Sequence, residues 1–261
     1  NPRLQILVAK IARPGPAQMC FQRAPDFYVG AQVIGESQSM VVVDDAARPE
    51  ALAGITVISG RHAYISGKKR YLHYSGDTRV DPFYRRRGIS GLMFAEQKKR
   101  HQPTDLVQGV ILNGNTGALD AARRVQGHKV FDFWLSHTIE TSFMFVRKGT
   151  PRIPAGVTLR AATAVDVPAM QAFQDREAPR RNGYPAYDFS QLLAGAPYYA
   201  GLSIGDYTLA LRDGEIVGML AAWNQKAYKQ TRIMGFHPAA KMLRPVYNAY
   251  VGLMGGFKLP P

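Results

Sequence analysis

The segment Val80-Asp81-Pro82-Phe83-Tyr84-Arg85-Arg86-Arg87-Gly88-Ile89-Ser90 constrains this chain more than any other. Before it, Arg70 to Val80 is a β-branched and aromatic run that reads as a strand. Asp81-Pro82 ends that strand, because proline withholds the N–H that a sheet ladder needs. After it, Arg87 to Arg100 carries Ile89, Leu92, Met93 and Phe94 at helical spacing and closes on a basic turn. A strand, a proline-broken turn and a glycine-bearing loop that opens directly into a helix make a seat for phosphate. Gly88 lets backbone approach a ligand, small Ser90 and Gly91 keep the approach clear, and the free N–H groups of the first helical turn favour an anion.

The surrounding pattern predicts a mixed α/β chain. Leu4, Ile6, Leu7, Val8 and Ile11 form a short helical run stopped by Pro14-Gly15-Pro16, and Pro25 to Ile34 reads as a second short helix. Met40 to Val43 and Gly54 to Ser59 are strands that precede Arg70 to Val80. Leu106 to Leu112 is expected as a strand and Thr116 to Gln126 as a helix, with Lys129 to Leu135 and Thr141 to Arg147 as further strands. This order places a first domain at 1–147 and a linker at 148–156. The pattern restarts at 157–261, with a strand at Val157 to Arg160 and a helix from Thr163. Thr163 and Asp166 have the spacing of a capping box. A hairpin, Tyr207 to Trp223, turns at Asp213-Gly214. Asn224 to Pro261 shows no closing element, so this second domain is expected to be incomplete.

Charge sharpens the picture. The chain has 33 basic and 19 acidic residues, a net charge of +14. Half of that excess falls between Gly67 and Arg100, which attracts an anionic partner: nucleic acid, a phosphorylated ligand or an acidic surface. No helix-turn-helix, zinc-finger or RNA-recognition pattern accompanies it, so nucleic acid is not the expected partner. No apolar run approaches the ~18 residues of a membrane span. The single cysteine, Cys20, forms no internal disulfide and favours a reducing compartment, which predicts a cytoplasmic protein. The histidines show no metal-ligand spacing, and no metal is expected.

Val80, Pro82, Arg85, Gly88 and Ser90 together resemble the acyl-CoA loop of the GNAT superfamily of N-acetyltransferases, V-x-P-x-x-R/Q-x-x-G-x-G/A. Ser90 replaces the family's Gly or Ala. The resemblance extends over roughly Val41 to Arg147 and includes Asn115-Thr116-Gly117-Ala118 as the family's N-x-x-A turn. Residues 157 to about 223 look like the opening half of a second such unit without the loop. The resemblance implies a GNAT-type sheet, mixed and mostly antiparallel, flanked by helices, in a tandem arrangement. It also implies acetyl-CoA as acyl donor, held by Val80, Arg85, Arg86, Arg87, Gly88, Ile89, Ser90, Gly91 and Asn115. The acceptor would be a small-molecule or peptide amine that attacks the thioester directly.

The candidate proton carriers lie on the strand before the loop. The family's base position, six before the motif Val, is Tyr74, whose reference pKa near ~10 favours a water relay. His73 has a better pKa, but strand alternation turns it to the opposite face unless a β-bulge intervenes. Asp77 is the third candidate. The family's general-acid Tyr falls at Ala122 or Arg123 and is missing. A non-catalytic acyl-CoA-binding module on the same fold is therefore the rival reading. Tyr198, Tyr199, Trp223 and Tyr228 read as core or interdomain packing rather than a substrate groove.

Overall fold

The computed structural model describes residues 2–11, 17–127, 132, 134–136, 138, 152–256 and 258–260. The first elements are α1 (Pro2–Ala9), β1 (Ala17–Gln22), α2 (Phe27–Gln32), β2 (Ser37–Asp44), β3 (Leu52–Ile65) and β4 (Lys68–Val80). They are followed by α3 (Ile89–Lys98), β5 (Leu106–Gly109) and α4 (Thr116–Gly127). The main sheet runs β2-β3-β4-β5, antiparallel throughout except for the parallel pair β4–β5.

β3 is its centre, buried without a break from Leu52 to Gly60. Alternate residues of β3 serve opposite faces, as strand geometry demands. Ile55 and Val57 pack with Leu4, Leu7 and Val8 of α1 and with Phe27 and Ala31 of α2. Gly54 and Thr56 face α3: Gly54 lies under Ile89 and Met93, and Gln97 donates to Thr56 Oγ1 at 3.0 Å. The sheet is thus sandwiched between α1 and α2 on one side and α3 on the other. Leu4, Leu7 and Val8 recur at helical spacing, which is why this short segment is a helix: it closes that face with three side chains no more than 2% exposed.

The later part contains β6 (Thr158–Ala161), α5 (Val167–Glu177), β7 (Tyr184–Pro185), α6 (Phe189–Leu193), β8 (Tyr207–Arg212) and β9 (Glu215–Ala221). β6, β8 and β9 form a second antiparallel sheet over a core centred on Met170, Phe189 and Leu209. Thr163 and Asp166 make the expected capping box at the helical turn leading into α5. Asp213 and Gly214 both have positive φ, +52° and +82°, the backbone of a two-residue hairpin turn whose twist matches the flanking strands. Tyr198, Tyr199 and Tyr228 are buried, in keeping with packing roles, and Trp223 Nε1 donates to the Ala200 carbonyl at 2.9 Å. The molecule is therefore a mixed α/β protein whose mainly antiparallel sheets are flanked by helices.

Two expectations need correction. The tail from Asn224 does carry regular structure: β10 (Gln230–Phe236) and the sixteen-residue α7 (Pro238–Leu253). β10 pairs antiparallel with β1, a strand the sequence pattern did not announce. The strand expected over Leu106 to Leu112 stops at Gly109, where β4 and β5 part. The strand expected at Thr141 to Arg147 and the first residues of the linker, Lys148 to Pro151, lie outside the described residues, as does most of Lys129 to Leu135.

Strand pairing joins the later part of the chain to the earlier elements at two places. Tyr184 and Pro185 pair with Tyr64 and Ala63 of β3, beyond the point where β2 begins at Ser37 opposite Gly60. The β1–β10 ladder is the other.

Candidate functional site

The parting of β4 and β5 creates the most suggestive geometry in the molecule. Leu72 to Ser75 pair in parallel with Leu106 to Gly109, and then the ladder ends. β4 continues to Val80, paired on its other side with β3 alone. From Gly76 onward its backbone therefore has an edge that β5 no longer covers. Val110, Ile111 and Leu112 follow β5 with 41–49% of their surfaces exposed, an apolar strip leading away from the wedge.

A bulge marks the start of this open edge. Val57 pairs with Gly76 and Ile55 with Arg79, so Asp77 and Thr78 together stand opposite Thr56. Asp77 takes φ +50°, the left-handed conformation that the extra residue requires. Thr78 Oγ1 is 2.8 Å from Thr56 Oγ1, which pins the bulge to β3.

At the wedge's mouth sits the loop. Asp81, 5% exposed, accepts from the Phe83 N–H at 2.9 Å and pairs with Lys10 Nζ at 2.8 Å, fixing the short helical turn at Pro82–Tyr84. Burial pushes the Asp81 carboxyl up, but the Lys10 and Phe83 hydrogen bonds outweigh it and hold the group below its ordinary value. Tyr84 donates to Asp45 Oδ2 at 2.6 Å, tying the turn to the segment after β2. Arg87 lies over the Phe83 ring at 4.6 Å, with Arg48 over the same ring at 4.8 Å. Arg85 and Arg86 are exposed and make no ion pair among the described residues. Arg86 adopts φ +64°, and Gly88, at φ +77°, is the N-cap of α3.

Among the described residues no side chain caps α3, which leaves its first-turn N–H groups at Ile89, Ser90 and Gly91 open there. A side chain at Gly88 or Gly91 would meet nothing within 4 Å among the described residues, so these two positions at the helix start are unobstructed there. The dipole of a ten-residue helix adds positive potential there. These residues fit a pyrophosphate: exposed guanidinium groups, uncapped amides and an unobstructed seat. Asn115 stands before α4, where its Oδ1 accepts from the Ala118 N–H at 3.2 Å. That bond anchors the start of α4.

Of the three proton-carrier candidates, Tyr74 lies within electrostatic reach of Asp77, and His73 stands apart from both. Tyr74 is paired with Ser59, its ring leaning over Gly76 and facing the Arg61 guanidinium at 5.9 Å. Burial first, and then Asp77, push its phenol above the ordinary value, against the opposing pull of Arg61 and Arg23. Asp77 is engaged by Arg23, whose Nη2 lies 2.6 Å from Oδ2, and by Arg79 at 3.8 Å. His73 occupies the other face, the one that carries α3. Its ring stacks edge-on with His101 at 4.4 Å, and its Nε2 lies 3.6 Å from Asp105 Oδ2. Burial, followed by His101, pushes the His73 imidazole below its ordinary value, with Asp105 opposing. The bulge falls after Gly76 and so leaves His73 and Tyr74 on opposite faces. Ala122 and Arg123, on α4, supply no phenol.

No known family model matches this chain, and no curated protein matches it closely enough to count as a relative. Solved structures resemble it at low identity. A tandem GNAT protein from the clavulanic acid biosynthesis pathway, solved without AcCoA, is 14% identical over 97% of this chain and 82% of its own, with a TM-score of 0.49. A mutant of the BH1408 protein from Bacillus halodurans is 21% identical over 44% of this chain and 71% of its own, with a TM-score of 0.34. A transcriptional regulator from Bacillus halodurans C-125 is 12% identical over 48% of this chain and 99% of its own, at 0.32. Likenesses this loose say nothing of what the chain does, and its function is read from its own residues. Among the described residues, no helix is long and apolar enough to cross a membrane.

Sequence reasoning missed Arg23, which holds Asp77 from 54 positions away, and Lys10, which holds Asp81 from 71 away. Nothing local could have announced either. It also missed the grouping of His73, His101 and Asp105, although the His-x-x-x-Asp spacing of the last two was on view.

Proposed function

We propose that this chain is a GNAT-type N-acetyltransferase that moves the acetyl group of acetyl-CoA to a small-molecule or peptide amine by direct attack. The observation that carries this reading is the wedge between β4 and β5, which opens onto a helix start that is uncapped, and flanked by arginines that are unpaired, among the described residues. Arg85, Arg86 and the amides of Ile89, Ser90 and Gly91 would hold the pyrophosphate, with Gly88 giving the backbone clearance. Val80 ends the open strand edge, and Asn115 would border the arm through its remaining amide N–H groups. Acetyl-CoA supplies an activated thioester. The bared backbone N–H groups of β4 beyond Gly76 are suited to stabilise negative charge developing on an acyl oxygen. Tyr74, its phenol held protonated, suits donation to a leaving group better than proton removal. The amine's proton would pass to water, since Asp77 is bound by two arginines and His73 faces away. The buried thiol of Cys20 suits a reducing cytoplasm.

Titration calorimetry with acetyl-CoA tests the binding step. Saturable binding supports it, and no binding at millimolar concentrations would sink it. A specific observation favours a second reading, a non-catalytic acyl-CoA-binding module: no candidate base stands free and α4 lacks a phenol. Release of free thiol from acetyl-CoA across an amine panel separates the two. Binding with no amine-dependent release decides for the module.

A further inference from the structure

We propose that His73, His101 and Asp105 form a binding site for a divalent transition-metal ion of the zinc class, which clamps the node where β4, β5 and the end of α3 meet. The three side chains come from three different places: His73 from mid-β4, His101 from just past the end of α3, and Asp105 from the residue before β5. Their ligand atoms all lie within 4.8 Å of one another. Asp105 Oδ2 is 3.6 Å from His73 Nε2 and 3.5 Å from His101 Nδ1. Zinc bonds of about 2.0–2.1 Å in a tetrahedron set neighbouring ligand atoms about 3.3–3.4 Å apart. Two of the three edges therefore already stand near the required length, and small side-chain rotations close the third.

The chemistry of the set agrees with the spacing. Two imidazoles and one carboxylate bind zinc and its first-row neighbours rather than magnesium or calcium, which take oxygen. Asp105 Oδ2 also accepts the Gln102 N–H at 2.9 Å, an outer contact of the kind that orients a ligating carboxylate. The His101 side chain is 6% exposed and that of Asp105 29%, so the site is walled on the protein side and reachable from solvent through the carboxylate. That leaves a fourth position for water. The site lies at the start of the β4–β5 ladder, whereas the acyl wedge opens at its far end. A metal here would hold together the strands whose parting makes the wedge, a structural role independent of acetyl transfer.

The test uses the whole chain, freed of metal by chelator and dialysed, with Zn²⁺ and then Co²⁺ as probes. One equivalent of Zn²⁺ is expected to bind at micromolar affinity or tighter and to raise the melting temperature. Co²⁺ is expected to give the intense visible absorption of a four-coordinate site. His101→Gln and Asp105→Asn should each weaken Zn²⁺ binding at least tenfold, with far-ultraviolet circular dichroism and acetyl-CoA binding retained. Zn²⁺ uptake unchanged in both variants would overturn the proposal, since other histidines would then be binding it. If a variant fails to fold, the wild-type cobalt spectrum decides: only weak, six-coordinate absorption would overturn it equally.

Discussion

Gly54 leaves no room for a side chain beneath Met93 at the sheet–helix interface. A methyl group at Gly54 would lie 3.2 Å from the Met93 sulfur and 2.9 Å from Ile89 Cγ2. Met93 is fully buried there, so α3 rests as close to β3 as the missing side chain permits. Gly54→Val should force the first turns of α3 outward. Overpacking of this kind costs about 1–3 kcal/mol. The expected outcome is a lower melting temperature together with weaker acetyl-CoA binding, because the displaced turn is the one that presents the open amides. Thermal melts and calorimetry on the same sample check both.

The glycines at and just inside the start of α3, Gly88 and Gly91, should respond in opposite directions. Gly88 has φ +77°, and alanine there pays about 1–2 kcal/mol for the left-handed backbone. Gly91 lies inside α3 with open space around it, and alanine there should gain up to about 1 kcal/mol of helix propensity. Denaturant titration of the two variants against wild type reads the contrast.

Arg85 is exposed and makes no ion pair among the described residues, so Arg85→Glu should leave stability within about 0.5 kcal/mol of wild type. Acetyl-CoA binding should nevertheless fall at least tenfold. Equal losses of stability and binding would remove Arg85 from the anion seat.

Tyr74→Phe separates chemistry from binding. Loss of a positioned proton donor typically costs roughly 10²-fold or more in rate. The expected result is a fall in kcat with KM for acetyl-CoA little changed. An unchanged kcat would remove Tyr74 from the proton path.

Asp166 offers a pH test in the later part. Hydrogen bonds from Arg160 at 2.6 and 2.8 Å, and from the Thr163 N–H and hydroxyl, hold its carboxyl well below the usual range against the opposing effect of burial. A carboxyl depressed on folding stabilises the native state fully above its unfolded pKa, near ~3.9, and loses that contribution as pH falls below it. Asp166→Asn should therefore lower stability at pH 7 by about 1 kcal/mol, the scale of a lost helix cap, and the gap should shrink below about pH 4. Chemical denaturation at pH 7 and pH 3 checks the sign.

Features written in neighbouring residues were legible. The Thr163–Asp166 cap, the Asp213-Gly214 turn and the proline break before α3 each depend on a few adjacent side chains, and each forms as expected. β1 was not legible, because Ala17–Gln22 alternates neither in hydrophobicity nor in burial, and only Cys20 in it is buried. It is a strand because Gln230–Phe236 runs beside it, and no local pattern encodes that pairing. In the candidate site, the glycine-bearing loop and the helix start after it were visible because they are contiguous. The ties on Asp77 and Asp81, and the meeting of His73 with His101 and Asp105, were hidden because the sheet assembles them from distant segments.

The ladder between Ala17–Gln22 and Gln230–Phe236 also sets a schedule. During synthesis at roughly 5–20 residues per second, the first strand waits some ten to forty seconds before its partner leaves the ribosome. Throughout that interval its backbone edge is open to any passing extended chain. Completion of this fold is thus tied to the arrival of nearly the last segment described, and premature release would leave a sticky, unzipped product rather than a smaller folded protein.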